Sequence, residues 1–364
     1  MKVAILQSPT FPLNIDYHGG IEVVELGELD YLRDKGHQSI LYVPSLVGNK
    51  NGIKVIRDWG WQNRYLKWKY YLEFILRTAQ CDIRHGHYTP AIALLAPDNS
   101  LVHFPGLAVS ELLLYRLKWA RFRYHRAHYI FCAKWVKDEF CKKYPEIPDI
   151  KLHVLYNGVD VCAFKPGVAV NRNEKIKILW YGVWEEEKGI FDLLEAIRQV
   201  EQKRDNFTVN IVGSASYEGE TVKSRRDDVR VHKLAGKLNT VNLIGPIKYQ
   251  QLPKYLSEHQ LGIFPSTYRD PFPLVPLEMM AAGLPVIAYD LGGPKEAIVN
   301  GKTGFLVENK RPDLLAGRIE WFLDNRQAIA EMGKNARKHV EDNFSLEIHG
   351  RNLVGIYQKM MEQR

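Results

Sequence analysis

The chain has 364 residues, 46% hydrophobic and 25% charged, which suits two globular domains with real cores and excludes a disordered or fibrous protein. Four cysteines (Cys81, Cys132, Cys141 and Cys162) form no CxxC pair, so neither a disulfide framework nor structural zinc is expected, and a reducing cytosol fits. The net charge of +8 is uneven: residues 1–165 hold 22 Lys+Arg against 16 Asp+Glu, leaving 28 against 26 for the rest.

The opening apolar run predicts a strand over 2–7. It falls short of a signal-peptide core, and no later stretch reaches transmembrane length. Apolar positions at helical spacing predict a helix over 21–35 that Gly36 ends, followed by a strand over 39–43. Further strands are expected at 101–104 and 129–132. Between them runs a basic, aromatic stretch. It carries Arg116, Lys118, Arg121, Arg123, Arg126 and Lys134 without an acid over 112–136. Tyr115, Trp119, Phe122, Tyr124, Tyr129, Phe131 and Trp135 are interleaved, and Tyr65-Leu66-Lys67-Trp68-Lys69-Tyr70-Tyr71 repeats the pattern. Three readings stand: a helix with an aromatic core stripe and solvated charges, a patch for an anionic membrane surface through 112–137 and 64–77, or nucleic acid. No recognition module accompanies the charge, so no nucleic-acid partner is expected.

Residues 164–173 are broken by Pro166 and Gly167 and turn polar, which marks a linker. Beyond it strands at 176–182, 207–213, 241–245, 261–265, 284–289 and 304–307 alternate with helices at 190–202 and 251–259. A last helix begins at Ser345-Leu346 and runs through Met361. Alternation of this kind gives a parallel sheet covered by helices. The expected fold is therefore α/β: two Rossmann-like doubly wound domains, 1–165 and 166–345, facing across a cleft.

Two carboxylates stand eight positions apart in Asp270-Pro271-Phe272-Pro273-Leu274-Val275-Pro276-Leu277-Glu278. Pro271 and Pro273 lack N–H groups and restrict the residues before them, so a helix can hardly start before about Pro273. Pro276 is tolerated only in its first turn. Asp270 is thus on a loop after the strand ending at Pro265, and Glu278 sits about one turn inside a helix that Gly283 and Pro285 stop. N–H groups near Leu274 and Val275 would point at whatever lies between the acids. An anion facing a helix N-terminus, with hydroxyl acceptors on either side, describes a site for a phosphorylated sugar.

Four further motifs accompany this one: Gly19-Gly20-Ile21-Glu22, Tyr156-Asn157-Gly158-Val159-Asp160 with Phe164-Lys165-Pro166, Gly182-Val183-Trp184-Glu185-Glu186-Glu187-Lys188-Gly189, and Gly292-Gly293-Pro294-Lys295-Glu296. In order and spacing the five together resemble the retaining glycosyltransferases of the two-Rossmann-domain (GT-B) type, family 4 (group 1). They correspond to that family's glycine loop, domain junction, phosphate loop, paired acids (here with Asp in first place) and late glycine turn.

The resemblance implies transfer of a hexose from a nucleotide-diphosphate sugar, UDP-glucose-like, to a saccharide or lipid-linked acceptor, in polysaccharide or glycoconjugate synthesis, with retained anomeric configuration. No metal or other cofactor is expected, and the location implied is the cytoplasm or the inner face of the membrane. The second domain would hold the nucleotide sugar. The first would hold the acceptor, with a helix at about 346–364 crossing back onto it. Glu278 would take the ribose hydroxyls, Asp270 the hydroxyls of the transferred sugar, and Lys188 the diphosphate as its charge grows. Asp270 and Lys188 are thus the catalytic candidates. Gly19 and Gly20 would approach a phosphate through backbone N–H groups, Phe272, Pro273, Leu274 and Val275 would border the donor, and Gly245 and Ile247 would meet the base.

The chain departs from the family at two places: Val183 stands where an Arg is usual, and Pro105 where a His is usual. His103, or His85 and His87, could line the cleft instead or be packed structural histidines. A spacing of two, with no Cys or acid cluster nearby in the sequence, gives no metal signal for His85 and His87. The alternative function is a non-catalytic nucleotide-sugar or membrane-binding protein on the same fold.

Overall fold

The structure, a computed structural model, describes residues 1–8, 13–14, 19–48, 50–56, 64–104, 112, 117–167, 174–215 and 222–363. Pro105, Tyr115, Arg116 and positions 168–173 of the expected linker lie outside the described residues, as do the side chains of Tyr65, Leu66 and Lys67. The chain divides into two compact units, Met1–Gly158 with Leu346–Arg364, and Val159–Ser345. The second unit therefore begins at Val159, ahead of the expected start at 166. Hydrogen bonding explains this: the Val159 N–H donates to Phe344 O at 2.8 Å. The Arg337 guanidinium also donates to the carbonyls of Val161, Phe164 and Ala281.

The strands of the first unit are β1 (Lys2–Leu6), β2 (Leu13–Asn14), β3 (Gln38–Val43), β4 (Leu46–Val47), β5 (Ile53–Val55), β6 (Ile83–His87), β7 (Ser100–Phe104), β8 (His128–Phe131) and β9 (Leu152–Val154). Seven of them form one parallel sheet in the order β5-β3-β1-β6-β7-β8-β9. The order reverses at β1 and β6, the switch point of a doubly wound sheet. Pattern alone gives no signal for β6, because Arg84, His85 and His87 interrupt the apolar run, yet every residue of it is buried. Arg84 is accommodated by donating to Thr78 Oγ1 and Thr78 O, each at 2.9 Å, and to Asn99.

The helix Gly20–Asp34 buries Val24, Leu26, Leu29 and Leu32, and with them Glu25 and Glu28. The C-terminal helix Leu346–Glu362 joins the same core: Leu353, Ile356, Tyr357 and Met360 cluster with Val3, Ile5 and Leu29. Burying one such aliphatic side chain is worth about 1.5–3 kcal/mol. The two helices meet closely at Gly350, where a Cβ would stand 2.3 Å from the ring of Tyr31.

The second unit carries β10 (Ile176–Val183), β11 (Phe207–Ser214), β12 (Val241–Ile244), β13 (Leu261–Phe264), β14 (Val286–Tyr289) and β15 (Gly304–Val307). They form a parallel sheet in the order β12-β11-β10-β13-β14-β15, reversing at β10 and β13. The helix expected over 251–259 is shorter: a 3-10 turn at Tyr249–Gln251 leads into Leu252–Leu256. His259 Nδ1 lies 2.9 Å from Tyr255 O, so a side chain meets a carbonyl at the end of that helix. The helix Val222–Ala235 carries little apolar signal, with Val229 67% exposed, and is invisible to pattern. Among the described residues no helix is long and apolar enough to cross a membrane.

Candidate functional site

In the second unit the segments that follow β10 and β13 arise at the switch point, at the carboxyl ends of adjacent strands, where open α/β sheets bind ligands. After β10 the chain makes a 3-10 turn, Glu186–Lys188, and enters the helix Ile190–Glu201 through Gly189 at φ 76°. Only glycine fits there, since a Cβ would lie 1.7 Å from Pro265 O. This contact brings the Lys188 turn onto the segment after β13. Thr267 and Tyr268 donate their N–H groups to Glu187 O at 2.9 and 3.1 Å, and Ser266 Oγ donates to it at 3.1 Å.

Lys188 and Asp270, 82 positions apart, meet as a result: Nζ lies 3.3 Å from Oδ2, and the ammonium stands 5.6 Å from the Tyr268 ring centre. Burial pushes the Asp270 carboxyl above its ordinary value, with the Lys188 ammonium opposing the shift. The glycine turn seals the other side of the loop. Gly293 N–H donates to Asp270 O at 2.8 Å, and a Cβ on Gly292 would meet the same carbonyl oxygen at 2.4 Å.

The helix after the loop spans Leu274–Ala281 with Pro273 as its N-cap and no side-chain cap, as the proline spacing requires. Its first-turn N–H groups, at Leu274 and Val275, have no intrahelical acceptor. Phe272, Pro273 and Leu274 are buried and Val275 half-buried. Glu278, one turn in, is buried at 2% exposure. Its carboxylate accepts from Tyr249 Oη at 2.9 Å and from Tyr181 Oη; Tyr181 Oη also lies 3.3 Å from Val275 O. Burial raises the Glu278 carboxyl above the usual range and the two hydroxyls oppose it. Burial and the facing carboxylate together push the Tyr249 phenol well up, so it stays a donor. A carboxylate has about four lone-pair sites, so two remain for further donors. The tyrosines are functional candidates that the sequence reading lacks. Their only signal is position: Tyr181 directly precedes Gly182 near the end of β10, and Tyr249 stands two residues after Ile247.

Gly245 and Ile247 follow β12; Gly245 is exposed, with open space where a Cβ would be, and Ile247 is half-buried. Val183, the final residue of β10, is half-buried. In the first unit Gly19 is the exposed N-cap of the helix that Gly20 begins, again without a side-chain cap.

The histidines of the first unit occupy the interior. His85 and His87 alternate onto one face of β6, and the parallel register sets His103 of β7 beside His87. All three have 0% exposure and surround Glu28. His87 Nε2 is 3.0 Å, His85 Nδ1 3.5 Å and His103 Nδ1 3.7 Å from its carboxylate. His349 of the C-terminal helix contacts the other side of Glu28 at 3.1 Å and Tyr156 O at 2.7 Å. Burial drives His85 down to about 3 and His103 well below the ordinary value, so both are neutral. The sequence shows no cluster of acids near His85 and His87; the fold supplies Glu28, 59 positions before His87.

The basic aromatic stretch divides. Tyr124, Tyr129 and Phe131 are core, whereas Trp119 and Phe122, on the helix Lys118–Tyr124, are 53% and 63% exposed. Arg126 pairs with Asp98 and stacks over Phe122, and Arg123 donates to Leu94 O and Leu95 O.

Comparison with known proteins agrees with this architecture. The family profile described as Glycosyltransferase Family 4 matches residues 18–162, and Glycosyl transferases group 1 matches 164–339. A glycogen synthase of Mycobacterium tuberculosis is 27% identical over 63% of this chain and 53% of its own length. An uncharacterized glycosyltransferase of Methanocaldococcus jannaschii is 28% identical over 66% and 62%. The chain thus spans between about half and three fifths of these curated relatives. Among solved structures, a glycosyltransferase from Rickettsia africae superposes with a TM-score of 0.80 at 22% identity, covering 100% of both chains. The Anabaena protein HepE, solved with UDP, superposes at 0.74 with 18% identity, covering 98% of this chain and 99% of its own; these two show the fold. With two parallel Rossmann-like sheets and the two profiles in sequence along the chain, this protein belongs to the group 1, family 4 glycosyltransferases of the GT-B type.

Proposed function

We propose that the chain transfers a hexose from a nucleoside diphosphate sugar, UDP-glucose-like, to a saccharide or lipid-linked acceptor with retained configuration. The observation that carries this reading is the Lys188–Asp270 pair at 3.3 Å, beside a helix start whose first N–H groups lack intrahelical acceptors. In this reading the diphosphate takes Lys188 and the first-turn N–H groups, which favour an anion. Asp270, released from its ion pair, accepts hydroxyls of the hexose. As the bond from anomeric carbon to phosphate oxygen breaks, charge grows on the phosphate where Lys188 is already oriented. Glu278, held by Tyr181 and Tyr249, offers its remaining lone pairs to the ribose hydroxyls. The backbone at Gly245 and Ile247 meets the base. HepE has also been solved with UDP-glucose, which supports this choice of donor class.

Exposed Trp119 and Phe122 among basic residues support an acceptor presented at an anionic membrane surface from the cytoplasmic side. Isothermal titration with UDP-glucose and related donors, followed by product NMR, tests the reading. Binding that Asp270→Ala and Glu278→Ala abolish, with an axial anomeric product from an axial donor, is the expected result. Absence of binding across the common nucleotide sugars refutes it. Val183, uncharged at the phosphate loop, favours one second reading, a binder without turnover. Donor binding with neither hydrolysis nor transfer over a broad acceptor panel would select that one.

A further inference from the structure

We propose that Glu28, His85, His87 and His103 form an internal site for one divalent, zinc-class metal ion within the first unit. One donor atom from each of the four lies within 4.8 Å of all the others. Three imidazole nitrogens point at a single carboxylate, 3.0, 3.5 and 3.7 Å from its oxygens. Ligands about 2.0–2.1 Å from a tetrahedral ion are themselves about 3.3–3.5 Å apart. To hold an ion, the widest pairs must close and the His87–Glu28 pair must open slightly. Three imidazoles with one carboxylate are a donor set that zinc and its first-row neighbours accept.

A second, independent observation points the same way. Among the fully buried side chains of the described residues, both ring nitrogens of His103, Nε2 of His85 and Nδ1 of His87 have no hydrogen-bond partner. Leaving so many polar atoms unmatched in an interior is costly. Of these, His103 Nδ1 faces Glu28 at 3.7 Å, and an ion held between them would satisfy it directly. It also gives Glu25 a purpose: that carboxylate stands 4.0 Å from His87 Nδ1, the outer position from which an acid orients a ligating histidine. His349, 3.1 Å from Glu28, supplies an outer partner from the C-terminal helix. The ion would therefore fasten β6 and β7 to the Gly20–Asp34 helix and, through His349, to the chain's last helix. The site lies outside the proposed donor site and its existence does not depend on it.

The full chain, prepared without a polyhistidine tag, tests the proposal by elemental analysis after exhaustive dialysis. About one zinc-class ion per chain is expected, with chelator-stripped protein taking up Co²⁺ to give the intense visible bands of a tetrahedral nitrogen-rich site. His103→Gln should retain at least about tenfold less metal. His232→Gln, which alters an exposed histidine beside Asp228, should retain it fully. Should His103→Gln fail to fold, the wild-type chain still decides: stripping must lower its Tm and stoichiometric metal must restore it. No retained ion together with no Co²⁺ spectrum overturns the proposal, and so does undiminished metal in a folded His103→Gln protein. Donor titration in parallel keeps this result separate from the proposed transfer.

Discussion

Lys188 is the cation that faces the loop acid in the second unit, and it is only about one third exposed. A charge-assisted contact to a diphosphate is worth about 1.5–3 kcal/mol. Lys188→Ala is therefore expected to weaken UDP-sugar binding by roughly 10- to 150-fold, read by calorimetry, while Lys188→Arg recovers part of it. Glu278 carries a pH signature. Burial raises its carboxyl above the ordinary value, so the folded chain binds that proton more readily than the unfolded one. Its ionisation then costs stability as pH rises from the ordinary carboxylate range through the raised value. Glu278→Gln removes the cost, so the Tm of the variant minus that of wild type should climb as pH rises from the ordinary carboxylate range through the raised value. A difference that stays flat over that range would mean the buried carboxylate is fully compensated by Tyr181 and Tyr249.

At the scale of elements, the site depends on how two loops are pressed together by glycines. Gly189 has φ 76° and no room for a Cβ against Pro265 O. Gly189→Ala should cost more than about 1 kcal/mol, seen as a lower Tm, and should weaken donor binding because the Lys188 turn moves off the Asp270 loop. Gly317, on an exposed helix face with nothing near its missing Cβ, is the contrasting position: Gly317→Ala should be neutral or raise Tm, by up to about 1 kcal/mol. The proline punctuation of 271–276 made the start of the Glu278 helix legible in advance. Legibility ended where polarity masked a strand. Nothing local in Arg84-His85-Gly86-His87 marks β6, because the groups that its polar side chains meet stand on other elements.

For the molecule as a whole, the C-terminal helix is the element whose place is farthest from its sequence position. Leu353, Ile356, Tyr357 and Met360 complete the core begun by β1, and folded domains are stable by only about 5–15 kcal/mol. A chain ending at Ser345 should therefore lose the cooperative unfolding of the first unit. Hydrogen exchange should show lost protection in β1, β3 and β6 while β10, β11 and β13 stay protected. Equal protection of both sheets after truncation would show that the helix is dispensable.

The sequence by itself determined the α/β alternation, the family and the loop-then-helix geometry of Asp270 and Glu278, because periodicity, prolines and glycines act within a few residues of where they stand. Tertiary structure decided which groups face one another. It brought Lys188 to Asp270, closed Tyr181 and Tyr249 on Glu278, and surrounded Glu28 with three histidines, because strand order and register join positions that no local pattern connects. Burial then fixed their chemistry. A carboxylate or imidazole is ordinary in water, and its charge state inside a fold is set by the partners that the fold alone supplies.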